Sequence, residues 1–501
     1  MSAAIPSPDP DNTSTRRALW TLALLSFSAL FWELALIRWL PGSVRVVGYF
    51  TNLILIASFL GLGAGALLSR HQRPLLQWWP LSFAGLVIAA LGLGSLTTPD
   101  PSGEHIWQGA APYLPVHTRG WLDSLNVWVW ESFASYLQSI DFYVVITVLF
   151  VGTALHFLFI GHRIGQLFCR LPPLRAYSFD LAGSIAGIVL FSLVSRLSLP
   201  PVVWFGAGAA TLGLVTPWRG LGGALRLVVV GGGLVLILAS GAPYAWSPYY
   251  KIEVTPVHNT RGVERPTARA DGKPLGYRVR VNNDYHQMAL DLAAPATEDA
   301  FLSGWRRLYD LPYGDGHAAG DVLVVGAGTG NDVQAALRAG ARSVTAVEID
   351  PGIVAIGRQF HPERPYDDPR VTVVVDDARS YLKRASAGAF DTVVFGFLDS
   401  HTLLSSLSTL RIDNYVYTVE SFTEAMSALR PGGRLAVTFT TATPWLKTRL
   451  FGLMAAALGA APKSTKVAYT NGRIFWGERA QGWRPATAAT IAGVAAELDL
   501  P

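Results

Sequence analysis

The stretch DVLVVGAGTGND, residues 321–332, decides the fold of the second half of the chain. Four apolar residues, Val322 to Val325, run directly into alternating glycines, and a helical pattern opens at Asp332 and continues to about Ala339. A short buried strand, a glycine turn and a helix start, in that order, form the opening unit of a parallel, doubly wound sheet. The sequence downstream repeats the alternation. SVTAVEID (343–350) is a strand followed by a helix from Pro351 to Phe360, and VTVVVDDARSYL gives a strand ending at Asp376 and Asp377 with a helix behind it. FDTVVFGFLD is the fourth strand, ESFTEAMSALRPGG a helix closed by Pro431 and Gly432, and RLAVTFT the fifth strand. TKVAYTNGRIFWG then reads as a hairpin turning at Asn471–Gly472.

Ligands of such sheets bind beyond the carboxyl ends of the strands, and that is where the candidate residues fall. Gly326, Gly328 and Gly330 follow the first strand, where absent side chains allow close backbone approach and the next helix offers its positive end. Glu348 ends the second strand and suits a carboxylate accepting both hydroxyls of a ribose. Asp377 ends the third, where a carboxylate can accept from an adenine amino group. Asn331 stands where a dinucleotide fingerprint has its third glycine, so a nucleoside without pyrophosphate is favoured over NAD.

Upstream, KIEV (251–254), YRVRV (277–281) and HQMALDL (286–292) read as short strands of a small β-hairpin domain over 246–310, with a helix near Glu298–Tyr309. The Rossmann-like domain then occupies 311–501.

The first half is different. Half of the 501 residues are hydrophobic and only 15% are charged, and the charge deficit lies between Arg17 and Tyr244. Soluble domains carry about 25% charged residues. Apolar runs near 18–40, 46–68, 75–96, 142–161, 177–199, 201–217 and 224–243 are long enough for helices across about 30 Å of hydrocarbon. The expectation is a multi-span α-helical membrane domain of about seven spans over 17–245, preceded by a disordered tail over 1–16. The first run lacks a small-residue cleavage pattern and reads as a retained span. Trp121–Ile140, with Asp123 and Glu131, reads as an interfacial helix.

Gly61, Gly63 and Gly65, and the pair Gly183 and Gly187, are spaced for close helix packing. Glu33, Arg38 and Asp180 lie in or near the apolar runs, where an interhelical ion pair and a substrate or proton site are both open readings. Glu33 and Arg38 point about 140° apart on one helix, so Arg38 is expected to snorkel to the interface.

The net charge of +5, with arginines at the ends of apolar runs, reads as membrane orientation rather than nucleic-acid binding. The single cysteine, Cys169, excludes a disulfide framework and a cysteine-rich zinc site, and no metal is expected. Positive charge puts the amino terminus in the cytosol. Seven spans would then leave the carboxyl-terminal domain outside, whereas an adenosyl donor requires it in the cytosol. Either the count is off by one or the charge bias misleads, and the cytosolic placement is expected, in a multi-pass protein of the cell membrane. The lipid bilayer is a partner, and homo-oligomerisation is left open.

With those residues in place, the chain resembles the spermidine synthase (polyamine aminopropyltransferase) family in its membrane-fused bacterial branch. The resemblance rests on LFWELALIRWL, FLGLGAGALLSR and AYSFDLAGSIAG in the first half. In the second it rests on VLVVGAGTGND, AVEIDP, DDPRVTVVVDDARSYL and LRIDNYVYTVESFTEAMSALRPGG. It implies that Glu348 is the ribose-binding acid, that Asp377 is the adenine-side acid, and that Gln287 belongs to the hairpin closing over the nucleoside. It also implies S-adenosylmethionine or decarboxylated S-adenosylmethionine as donor.

Two positions depart from the family. Thr329 replaces an aspartate that holds the aminopropyl amine, and Gly396 replaces the aspartate that deprotonates the attacking amine. Asp399, His401 and Asp413, on the loop after the fourth strand, are the substitutes for that base, His401 being tuned closest to neutral pH. Tyr415 and Tyr417 are candidates for lining the pocket of a small-molecule acceptor, a polyamine for instance. The function expected is alkyl transfer from the sulfonium, methyl or aminopropyl. The alternative is a non-catalytic adenosyl-ligand sensor coupled to a transport-like bundle.

Overall fold

The computed structural model describes residues 10–70, 73–97, 140–218, 220–241, 244–257, 273–293, 300–398, 415–440, 444–466, 472–487 and 493–494. The described residues before Glu253 form one compact unit and those after it a second.

The first unit is built from helices α1 (Pro10–Ser43), α2 (Thr51–Leu67), α3 (Trp79–Thr97), α4 (Ile140–Phe168), α5 (Pro173–Arg196), α6 (Pro201–Val215) and α7 (Gly220–Gly241). A proline opens α1, α5 and α6, at the position where a missing N–H costs nothing. Because α1 begins at Pro10, residues 10–16 of the expected disordered tail are helical instead.

Six of these helices are long and apolar enough to cross a membrane by length and composition. The exception is α6, whose 15 residues rise only about 22 Å. Pro200 and Pro201 start it and Pro217 lies just beyond its end, so the run cannot lengthen in either direction. The run expected as a span over 201–217 is thus a helix of only 15 residues, shorter than the other six. The segment Trp121–Ile140 lies, except for Ile140, outside the described residues.

Glycines set the helix contacts. A Cβ on Gly183 would sit 2.1 Å from the Ala23 carbonyl oxygen, and one on Gly187 2.4 Å from that of Phe27, so α5 lies backbone against backbone on α1. Gly61 and Gly65 meet the Ala154 and Leu158 carbonyls of α4 at 2.2 and 2.3 Å in the same way. Gly63, between them, faces open space and takes no part.

Between the helices, Trp32 packs edge-on against Phe83 at 5.1 Å and beside Phe205 at 5.2 Å. Arg38 does not snorkel. Its guanidinium lies 4.7 Å from the Trp204 ring and donates to the Ser195 hydroxyl, because an aromatic face and a hydroxyl give the cation partners inside the bundle. Asp180 is likewise engaged internally, accepting from the Ser26 hydroxyl. Two short strands, β1 (Ala245–Trp246) and the start of β2 (Lys251–Val257), pair antiparallel at the end of this unit.

In the second unit, β3 (Gly276–Val281) and β4 (Asp284–Leu290) form a hairpin. Its two-residue turn is Asn282–Asn283, with φ of +50° and +67°, values that asparagine tolerates better than other side chains. Helix α8 (Ala300–Asp310) follows. The main sheet contains β5 (Asp321–Val325), β6 (Ser343–Glu348), β7 (Val371–Val375), β8 (Phe390–Phe395), β9 (Leu429–Thr440), β10 (Lys463–Lys466) and β11 (Gly472–Glu478). Its order is β10-β11-β9-β8-β5-β6-β7. Strands β5 to β9 run parallel, while β11 runs antiparallel to β9 and to β10. The expected hairpin is therefore present, although Asn471 of its turn lies outside the described residues.

Helices α9 (Asn331–Arg338), α10 (Pro351–Phe360), α11 (Ala378–Arg384), α12 (Val419–Ala428) and α13 (Pro444–Leu458) complete this unit. The pleat of β5 shows why the sheet is doubly covered. Leu323 and Val325 join a core with Phe422 and Met426 on one face, while Val322 and Val324 join Val333 and Ala336 on the other. Strand order reverses between β5 and β8, and a crevice at that reversal is where such sheets bind ligands. The small β-domain and the Rossmann-like domain, expected as separate, belong to one compact unit.

Candidate functional site

The site grows from the turn after β5. Gly326, Gly328 and Gly330 all have positive φ (+70°, +56° and +111°), so the loop requires glycine for its backbone alone. What lies above each glycine differs from a bare cradle. The Leu398 side chain rests on Gly326, and a Cβ on Gly330 would sit 2.5 Å from Pro365. Those two glycines therefore make room for the chain's own packing. Over Gly328 lies Gln287, whose Oε1 would be 2.5 Å from an added Cβ.

Gln287 reaches the loop because β4 carries a bulge. Val279 pairs with Gln287 and Arg280 with Tyr285, leaving His286 as the extra residue that re-aims its neighbour. The Gln287 Oε1 accepts from the Thr329 amide and hydroxyl, both at 3.2 Å. Its Nε2 is buried and finds no acceptor among the described residues. Thr329 is fully buried and spends its hydroxyl on this hairpin.

Glu348, at the tip of β6, accepts from the Gly328 amide at 2.9 Å and the Asp350 amide at 3.0 Å. Burial pushes its carboxyl above the usual range, and the Asp350 and Gly328 amides pull it partly back. The Tyr366 hydroxyl donates to the Gly328 carbonyl at 2.6 Å and pins the loop from the other side. Asp377, at the tip of β7, caps α11 by accepting from the Ser380 amide at 2.8 Å. An orphaned amide donor, a buried carboxylate on the loop amides and a loop that only glycine can form together suit an adenosyl ligand.

The remaining candidates divide. Tyr417 packs edge-on against Phe439 at 4.7 Å, on the helix-covered face of the sheet, whereas Tyr415 is exposed and offers its carbonyl to Arg379. Asp399, His401 and Asp413 lie outside the described residues.

Sequence reading missed Asn331 as a structural residue. Its Nδ2 donates to the Met288 carbonyl and the Tyr309 hydroxyl, and its Oδ1 accepts from the Leu290 amide and His361 Nε2. His361 Nδ1 accepts from the Glu363 amide, which leaves the proton on Nε2, and burial holds this imidazole down at about 3, so it is neutral. Asn331 thus ties the hairpin bearing Gln287 to the glycine loop. Its replacement by alanine leaves several buried groups unsatisfied, and thermal unfolding of the full-length protein is expected to show a loss of about 2–3 kcal/mol. Donor binding is expected to weaken with it.

Residues 306–479 match the Spermine/spermidine synthase domain. Putrescine N-methyltransferase 1 of Nicotiana tabacum is 30% identical over 149 residues, covering 29% of this chain and 37% of that protein. The chain thus spans little more than a third of that relative's length. The polyamine aminopropyltransferase of Mycobacterium tuberculosis is 28% identical over 466 residues, covering 85% of this chain and 80% of that one. Among solved structures, a probable spermidine synthase from Corynebacterium glutamicum is 14% identical with a TM-score of 0.35, over 51% of this chain and 86% of that one. The likeness to the spermine/spermidine synthase domain thus covers residues 306–479, and likeness to polyamine aminopropyltransferases extends over most of the chain.

Proposed function

We propose that this protein is a membrane-embedded transferase that takes S-adenosylmethionine or its decarboxylated form at the tips of β5, β6 and β7 and moves an alkyl group from the sulfonium to an amine of the polyamine class. One observation carries the reading: the Gln287 amide is buried over the glycine turn with its Nε2 lacking an acceptor, beside the Glu348 carboxylate. A buried donor without a partner is costly unless a ligand supplies the acceptor.

In the bound state Glu348 accepts from the ribose hydroxyls and Asp377 faces the adenine. The sulfur arm runs toward the reversal between β5 and β8, and seating it requires Leu398 to swing off Gly326. The sulfonium supplies its own leaving group, so these residues act mainly by alignment and exclusion of water. The tobacco relative is named for methyl transfer to putrescine and the mycobacterial one for aminopropyl transfer. Thr329, uncharged and committed to Gln287, gives an aminopropyl ammonium no counter-charge and so favours methyl transfer.

The six apolar helices support placement in a bilayer. An even number of spans, with the amino terminus held in the cytosol by its positive charge, puts the carboxyl-terminal unit in the cytosol as well.

Incubating purified full-length protein with labelled forms of both donors and a panel of amines tests the reading. Methylated amines are the expected product. Aminopropylated amines would reassign the group transferred, and donor binding without turnover would replace the transferase with a ligand sensor.

A further inference from the structure

The proton that must leave the acceptor amine has no assigned destination among the groups that hold the donor. Glu348 serves the ribose and Asp377 caps a helix. At the transfer end of the crevice, where β5 and β8 part, position 396 carries no side chain. The reason is visible in the packing: a Cβ there would lie 2.7 Å from Asp332 Oδ2 and 3.3 Å from Asp332 Cγ. The carboxylate of Asp332, the second residue of α9, is turned across the strand tips into the space that a side chain at 396 would fill. The Gly326 carbonyl lies 3.6 Å from the same point, so this space borders the glycine turn directly.

We propose that Asp332 is the proton acceptor for the attacking amine, a carboxylate delivered from the start of α9 into the place left by Gly396. The proposal rests on the transferase reading above. The step balances simply. An acceptor ammonium gives one proton to an Asp332 carboxylate oxygen and becomes an amine with a lone pair. That lone pair forms the N–C bond while the S–C bond breaks and its electrons stay on sulfur, leaving a neutral thioether. The alkylated nitrogen carries the positive charge, and Asp332 returns its proton to water.

The surroundings fit a base of this kind. Among the described residues, Tyr309 on α8, Tyr313 just after it, Tyr366 beyond α10 and Arg338 on α9 itself are the titratable groups that face Asp332. Burial among them pushes the Asp332 carboxyl up to about 7, with Arg338 pulling it back only in part. A carboxyl that changes state near neutral pH can both take and release a proton during turnover. It is ionised above that value, so kcat/KM is expected to rise with pH through about 7 and to level above it.

The test uses full-length protein, with transfer rate and donor affinity measured on each variant. Asp332→Asn keeps the shape of the side chain, and kcat is expected to fall by about 100-fold or more while donor affinity stays within about threefold. The limb near neutral pH is expected to disappear with it. Asp332→Ala combined with Gly396→Asp moves the carboxylate to the neighbouring strand tip and is expected to recover about tenfold or more over Asp332→Ala alone.

Asp332→Asn at near wild-type kcat would overturn the proposal, as would a defect confined to donor affinity or KM. A double variant that binds donor yet gains nothing over Asp332→Ala would also overturn it. Wild-type protein that transfers to no amine from either donor would sink the underlying transferase reading itself, before any variant is compared.

Discussion

Glu348→Ala is expected to weaken binding of S-adenosylmethionine and of its decarboxylated form more than tenfold, about 1.4 kcal/mol or more, by equilibrium dialysis of labelled donor against full-length protein. The carboxylate is buried at the tip of β6 and already holds the Gly328 and Asp350 amides. It therefore acts twice. It orders the glycine loop before any ligand arrives, and it offers a charged acceptor at the second strand tip for a pair of ribose hydroxyls. A hydrogen bond to a charged group is worth about 1.5–3 kcal/mol, so losing two exceeds the threshold comfortably. Glu348→Gln, which keeps the shape but not the charge, should fall between wild type and alanine. An unchanged affinity in Glu348→Ala would remove this residue from the site.

The second large effect belongs to the helical unit. Gly183→Val is expected to lower stability by about 3 kcal/mol or more and to cut the yield of folded protein. The added Cβ would lie 2.1 Å from the Ala23 carbonyl oxygen and 2.8 Å from its carbon, and backbone cannot rotate away as a side chain can. The helices α1 and α5 would have to part along their length, which also undoes the contact at Gly187. Gly63→Val is the matched control, since nothing lies within 4 Å of a Cβ there. Thermal unfolding in detergent should separate the two clearly, and equal behaviour would show that α1 and α5 are not packed through Gly183.

The contrast between Gly63 and its neighbours shows what could be read in advance. Glycine spacing marks a helix as a packing helix, but which glycines touch depends on the rotation of the partner, and that information lies in another segment. The sheet was far more legible. Strand length, glycine turn and helix period are local properties, and β5, β6 and β7 with their helices fall where the alternation put them, whereas α12 ends at Ala428 and β9 takes in Pro431 and Gly432, which were expected to close that helix. The placement of Glu348 and Asp377 at strand ends was legible for the same reason, since a residue at a strand end is fixed by the strand. Asn331 was read only as a departure from a fingerprint. Its partners, Met288, Tyr309 and His361, come from three separate segments that local pattern does not connect. The same limit hid the meaning of Gly396. In sequence it is an absent carboxylate, and only the folded chain brings Asp332 across to it. The length of α6 is set by its flanking prolines, which apolar composition alone does not reveal.

Everything functional depends on an adenosyl sulfonium lying across the tips of β5, β6 and β7. Isothermal titration of the full-length protein with S-adenosylmethionine, and in parallel with its decarboxylated form, tests this most directly. Saturable binding of at least one donor, with NAD giving no heat, is the result the geometry requires. Absence of binding by both donors at millimolar concentration would contradict it.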